Sequence, residues 1–340
     1  MTRALYALAA LTLALVTGCG STTTPQAPVA AASSAFSATL THKYGSTTIS
    51  AKPKRIVTVG LVEQDALLAL GIVPVATTEW FGGYPGAIGP WAKTKLGSAP
   101  VPQVLKDTGS GPQMEKIAAL RPDLILALYS GLTQEQYTTL SKIAPTVAQP
   151  KEHIDYGISW QEVTKQVGVA VGEVAKADAL VKQVEDRFAA VQKEHPEFAG
   201  QTALMATVYE GYFVFGSQDP RSRLLASLGF KLPADLDKAI GDKFGANISR
   251  ERLDLLDTGA LIWSVTNVDK DTAALRGDSV YKGLKVAKEG REVFVKESTD
   301  DGNAVSFITV LSLPYVLDAL VPRLAAAVDG NPATEVGLPS

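Results

Sequence analysis

The sequence predicts an α/β protein built as two three-layer lobes with mostly parallel sheets, joined by a single long helix, with a ligand cleft between the lobes. Three observations carry that expectation. From Lys54 to Gln149, short β-rich runs alternate with helical apolar stripes, the pattern of a parallel sheet covered by helices. A long amphipathic stretch, Glu173–His195, then interrupts the alternation. After it the alternation restarts, and one unit returns in register. "MEKIAALRPDLILAL" (Met114–Leu128) aligns without a gap on "RERLDLLDTGALIWS" (Arg250–Ser264), placing Glu115 on Glu251, Lys116 on Arg252, Ile117 on Leu253 and Leu120 on Leu256.

Residues 1–18 have a short basic start at Arg3, an apolar run from Ala4 to Val16 and small residues before Cys19. That run is too short for a comfortable membrane span of about 20 residues and fits a secretory signal. Val-Thr-Gly before Cys19 resembles a lipobox, in which the cysteine is lipidated and becomes the mature N-terminus. Cys19 is the only cysteine, so no intramolecular disulfide forms. Residues 19–37, rich in Ser, Thr, Ala and Pro, read as a lipidated flexible tether. The expected product is exported and lipid-anchored to the outer face of the cell membrane.

The N-terminal lobe is expected over 38–157. "KRIVTV" (Lys54–Val59) and "IVPVA" (Ile72–Ala76) read as strands on either side of the Glu63–Leu70 helix, which Gly71 closes. The Gly, Pro and aromatic-rich "EWFGGYPGAIGPW" (Glu79–Trp91) is a loop carrying exposed rings. A helix near Gln134–Ile143 and the strand "PTVAQ" complete the lobe. Residues 158–196 are helical. Val174, Ala177, Leu180, Val181, Val184, Phe188 and Val191 share one face of a rod of roughly 35 Å, which Pro196 ends. Such a rod serves either as a helix of one lobe or as the strut between two. Over 197–330 a second lobe follows: "TALMATVY" is a strand, "SRLLASLGFKLP" echoes "DALLALGIVP", and Ser306–Val328 is a closing helix bent or divided at Pro314. Residues 331–340 form a tail.

Several chemistries are poorly supported. The formal net charge is −3, so nothing points to nucleic acid. There is no G-x-S-x-G elbow, no phosphate-binding G-x-x-x-x-G-K-[ST] and no G-x-G-x-x-G, and the sole thiol is committed to the N-terminus. His42, His153 and His195 form no spaced pair of the kind a zinc site uses, so no metal ligands are assigned. No catalytic residue and no cofactor are expected.

Ligands of open α/β sheets bind beyond the carboxyl ends of the strands. Trp80, Phe81, Tyr84, Tyr129, Tyr209, Tyr212, Phe213 and Trp263 fall at such positions and converge on one cleft if the lobes face each other, although any one ring could equally be core filler. An aromatic-lined cleft suits a bulky, partly apolar ligand. Arg221 and Arg223, after the Gly-containing turn "FGSQDPRSR", are placed to pair with an anionic chelate or to stand as solvated surface charges.

These residues resemble a known family. "HKYGSTTISAKPKRIVTVG", "ALLALGIVPV", "MEKIAALRPDLIL", "KIAPTV", "SWQE" and "LSLPYVLDALVPRL", in this order, are similar to the iron-siderophore substrate-binding lipoproteins of bacterial ABC importers. The resemblance covers essentially the whole mature chain. It implies a ferric siderophore as ligand, with iron held by the chelator, ABC permease subunits as partners and a membrane tether. It also implies that Glu115 and Glu251 dock onto arginines of the two permease subunits, with Glu63 the competing candidate in the first lobe. The same resemblance implies small hinge closure about a rigid strut. Haem or a corrinoid as ligand, an exported chelate-modifying enzyme and a surface adhesin remain the alternatives.

Overall fold

The computed structural model describes residues 36–80, 82–106, 111–334 and 336–337. The expected signal at 1–18, the lipidated Cys19, the tether through residue 35, and Phe81 lie outside them. The described chain opens with an antiparallel hairpin of β1 (Ala38–His42) and β2 (Gly45–Ile49), whose alternate residues Leu40, His42, Thr47 and Ile49 turn inward.

Strands β3 (Ile56–Thr58), β4 (Ala76–Thr78), β5 (Gln103–Leu105), β6 (Leu124–Ala127) and β7 (Thr146–Ala148) form the first sheet, all parallel, in the order β5-β4-β3-β6-β7. Helices α1 (Glu63–Ala69), α2 (Lys93–Leu96), α3 (Met114–Ala119) and α4 (Gln134–Ser141) lie between them in sequence. Both faces are covered. Leu124 and Leu126 join Ala66, Leu67 and Leu70 in one core, while Ile125 and Ala127 join Ile117 and Leu140 in another. That two-sided burial is why β6 reads as a continuous apolar run. The expected strand "IVPVA" is displaced, since β4 starts only at Ala76. Pro74 has no N–H to give a sheet ladder.

Helices α5 (Trp160–Val171) and α6 (Val174–Glu194) follow, separated by Gly172 at φ +73. Ala177 of α6 belongs to the first lobe's core, whereas Val181, Val184, Phe188 and Val191 belong to the second's. One helix of 21 residues, about 32 Å long, therefore spans both lobes as a strut. Val174, assigned to its apolar face, is instead 49% exposed at the first turn.

The second lobe holds β8 (Ala203–Val208), β9 (Tyr212–Phe215), α7 (Pro220–Ser227), α8 (Leu236–Ile240), β10 (Gly245–Ile248), β11 (Ala260–Val265), α9 (Val268–Gly277), α10 (Lys285–Lys288), β12 (Glu292–Lys296), α11 (Asp300–Ser306) and α12 (Ser312–Val328). Its sheet runs β10-β9-β8-β11-β12. β8, β11 and β12 are parallel, and β9 runs antiparallel to both of its neighbours, β8 and β10. The internal duplication therefore holds for three of the five strands in each sheet: β8, β11 and β12 repeat the positions of β3, β6 and β7. The echo of "DALLALGIVP" survives as α7 and a single parallel bridge between Thr202 and Lys231.

Two expected helices change form. The second acid-headed segment, Arg250–Leu256, is a 3-10 turn interrupted at Arg252 (φ −108, ψ 18). The closing helix is divided ahead of Pro314, at Phe307–Leu311, where Thr309 Oγ1 accepts the amides of Leu311 (3.3 Å) and Ser312 (2.9 Å). Pro314 lies in the first turn of α12, where a missing N–H costs nothing.

Candidate functional site

Between the lobes lies a cavity of about 780 Å³, with Leu61, Tyr129 and Tyr156 on one side and Asp219, Arg221, Phe244, Thr266, Glu297, Asn303 and Phe307 on the other. A smaller recess of about 150 Å³, bounded by Thr78, Lys106 and Gln136, shares Leu61, Tyr129 and Tyr156 with it. Leu61 and Tyr129 follow β3 and β6, and Thr266 and Glu297 follow β11 and β12. The site thus sits beyond the carboxyl ends of both sheets, as parallel topology demands.

Tyr129 is positioned by a buried acid. Glu63 is fully buried, and its carboxylate accepts the backbone N–H groups of Val62 (3.1 Å), Leu128 (2.5 Å) and Tyr129 (3.0 Å). Burial pushes its carboxyl above the usual range, and these amides oppose the shift. Only glycine fits beside it, because a Cβ on Gly60 would stand 1.9 Å from Glu63 Oε1. Glu63 is therefore no docking residue. Tyr129 is 8% exposed, meets the Tyr156 ring edge-on at 5.5 Å, and burial raises its phenol.

Arg221 stays on its own lobe. Its Nε and Nη2 each donate to Asp219 at 2.7 Å, and its guanidinium lies 3.7 Å over the Phe215 ring. Burial is the largest single influence and lowers its pKa, but Asp219, Tyr129 and Glu297 together outweigh it and the net shift is upward. Arg223 Nη1 donates to Gly157 O at 2.6 Å and ties α7 to the chain entering α5; burial lowers its pKa. Arg221 lines the cavity while paired to Asp219, and Arg223 is not among the lining residues.

The aromatic expectations divide. Trp80 is buried, donates to Ala87 O at 2.8 Å and packs 4.6 Å from Phe307 across the lobes. Tyr84 hydrogen-bonds the Asp300 carboxylate and accepts from Asn303 Nδ2 (3.1 Å); burial, then Asp300, pushes its phenol up to about 12. Both rings fasten the lobes together at the rim of the cavity. Tyr209 is 62% exposed at the β8–β9 tip and lies off the cavity. Trp263 and Tyr212 are corrections. Trp263 is fully buried and donates to Tyr281 Oη at 2.9 Å, and Tyr212 packs beside both and donates to Asp278 at 3.0 Å. Strand parity explains this, since Leu261, Trp263 and Val265 face the outer core while Ala260 and Ile262 face the strut. Phe213 packs on Phe215 and Phe244.

Tyr156, Phe244, Glu297, Asn303 and Phe307 line the cavity without having been singled out. Glu297 directly follows a strand and was accessible to the strand-end rule; Tyr156 and Phe244 stand on irregular segments with no periodic signal. Outside the cavity lining, Glu115 is exposed in the first turn of α3 and Glu251 is exposed in the 3-10 turn, where a hydrogen bond from Ser249 lowers its carboxyl.

A family model described as periplasmic binding protein matches residues 63–299, more than half of the chain. The fold is similar to a periplasmic solute binding protein from Mycobacterium smegmatis, at 36% identity and TM-score 0.74 over 86% of this chain and 99% of that one. It is similar to PiaA of Streptococcus pneumoniae in complex with ferrichrome, at 28% identity and TM-score 0.76 over 86% and 99% of the two chains. The putative ABC transporter substrate-binding lipoprotein YhfQ of Bacillus subtilis is 26% identical over 290 residues, 78% of this chain and 85% of that one. With two α/β lobes, a spanning helix and a cleft at the strand ends, the chain belongs to the periplasmic binding protein family, whose members are non-enzymatic components of transport.

Proposed function

We propose that this protein is the substrate-binding component of an ABC importer, that it captures a ferric siderophore in the interlobe cavity, and that a lipid on Cys19 holds it at the outer face of the membrane. The cavity carries the reading. At about 780 Å³, with walls from both lobes, it has the size of a small-molecule site and the position of a ligand that a two-lobed binder grips. The similar pneumococcal protein holds ferrichrome. In this reading iron is cargo held by its own chelator, as ferrichrome is in the similar pneumococcal protein. Glu115 and Glu251 are the proposed permease contacts, supported by their exposure at matching positions of the repeated unit.

Native mass spectrometry of the full chain, extracted in detergent from membranes of iron-starved cells, tests both ends. The expected spectrum shows a chain beginning at Cys19 with added acyl mass and, after mixing with ferric siderophores, a bound ferric chelate. A chain without acyl mass ends the anchor proposal, and no bound species across hydroxamate, catecholate and carboxylate chelates ends the ligand proposal.

A further inference from the structure

Among the described side chains lining the cavity, the charged ones are Asp219, Arg221 and Glu297, two carboxylates against one guanidinium. The guanidinium is paired with one of those carboxylates through its Nε and Nη2. Asp219 is 2% exposed and holds Arg221 through two bonds of 2.7 Å, with the Phe215 ring beneath. An anionic ligand that drew Arg221 away would leave Asp219 buried and unpaired, which costs more than an exposed exchange of partners. Arg223 donates through Nη1 to the Gly157 carbonyl and is not among the residues lining the cavity. Lys106 lines the adjoining recess but faces Glu79 at 3.9 Å.

Negative groups are better presented. Glu297 is partly exposed, and its carboxylate accepts the hydroxyls of Ser264 (2.9 Å) and Thr266 (3.2 Å). Asn303 is 1% exposed and lines the cavity, with Nδ2 bonded to Tyr84 while its Oδ1 receives no donor from the described residues. The rings of Tyr129, Tyr156, Phe244 and Phe307 add electron-rich faces, which favour cations. The charged side chains lining the cavity therefore sum to a formal charge of minus one.

We propose that the cavity selects ferric chelates of zero or positive net charge, the chemistry of trihydroxamates, and disfavours polyanionic catecholate and carboxylate chelates, with Glu297 as the residue that sets the charge preference. The proposal rests on the reading of the cavity as a ferric-chelate site and deepens it. A trianionic chelate entering here loses hydration and meets a wall of formal net negative charge, which disfavours it. A neutral trihydroxamate loses little, and a pendant ammonium gains Glu297 as a partner.

The test is calorimetric titration of the mature protein with ferrichrome (neutral), ferrioxamine B (cationic), ferric enterobactin (trianionic) and ferric dicitrate (anionic), at low and high salt. Ferrichrome and ferrioxamine B should bind at least about 100-fold more tightly than the trianion. Glu297→Gln should weaken ferrioxamine B by roughly 3–10-fold while ferrichrome shifts much less, and high salt should erase that difference. An anionic chelate binding as tightly as ferrichrome overturns the charge selection and leaves the ferric-chelate reading standing. An unchanged ratio of ferrioxamine B to ferrichrome affinity in Glu297→Gln overturns the role of Glu297. Failure of all four chelates to bind overturns the ferric-chelate reading itself, and the selection with it.

Discussion

Asp65 hangs from α1 in the first lobe, yet its Oδ2 accepts both Trp91 Nε1 (2.8 Å) and Thr309 Oγ1 of the second lobe (2.5 Å). It is 2% exposed, and burial pushes its carboxyl up from 3.8 to about 6, with the two donors only partly opposing the shift. A folded value above the unfolded one means the folded state prefers the proton. This contribution to stability is complete below about pH 3.8 and is lost as pH rises through about 6. Asp65→Asn keeps an oxygen for both donors and cannot ionise, so it should be more stable than the parent at neutral pH, by up to about 3 kcal/mol, and equal to it near pH 4. Melting temperatures at the two pH values decide; a parent–variant gap that does not change with pH refutes it. The type of such residues was legible in the sequence, but their direction often was not. Tyr129 was placed at the cavity by the strand-end rule, whereas Trp263, at an equally suggestive position, turns to the opposite face. Parity within β11 decides that, and it depends on which neighbours the sheet acquires. Arg221 was similarly legible as a guanidinium near the cavity, but its partner Asp219, two residues earlier, consumes the charge that made it suggestive.

At the scale of elements, the contact of α5 with α6 fixes how the strut leaves the first lobe. Gly168 permits it, since a Cβ there would stand 2.4 Å from the Ala177 Cβ, a short side chain that cannot swing aside. Gly168→Val should force the helices apart and destabilise the protein by about 1–3 kcal/mol. Urea unfolding measures this, and a change below about 0.5 kcal/mol, the range of ordinary surface substitutions, would show that the helices do not need the close approach. The strut, α1, α3, β3, β6 and β8 were all legible, because apolar spacing and flanking Gly or Pro specify them locally. The β9–β10 pair was not. β10 reads "GANI", poor in β-formers, and is a strand because "YFVF" of β9 offers it an edge. The 3-10 form of Arg250–Leu256 was equally hidden, since the spacing of Leu253 and Leu256 suits either helix.

On the scale of the whole molecule, the strut is one of several ties between the lobes. Tyr84 reaches Asp300 and Asn303, Asp65 reaches Thr309, and Arg223 reaches the Gly157 carbonyl. These contacts, with α6 buried in both cores, tie the lobes together at several separate points. Glu115 and Glu251 belong to different lobes, at equivalent places beside β6 and β11, so the ties also fix the spacing between them. If each docks on a permease arginine, the pair acts as a rigid two-point gauge that engages only when both ends fit. As exposed acids they contribute little to folding, and neither lines the cavity. Glu115→Ala combined with Glu251→Ala should therefore leave the melting temperature and chelate affinity unchanged while abolishing uptake of the chelate by cells. Each single variant should impair uptake less, because one anchor still holds. Transport assays with radioactive iron in the bound chelate, beside calorimetry on the same variants, separate docking from binding. Full uptake by the double variant would show that neither acid is the gauge, and lost affinity would show that they act on the cavity instead.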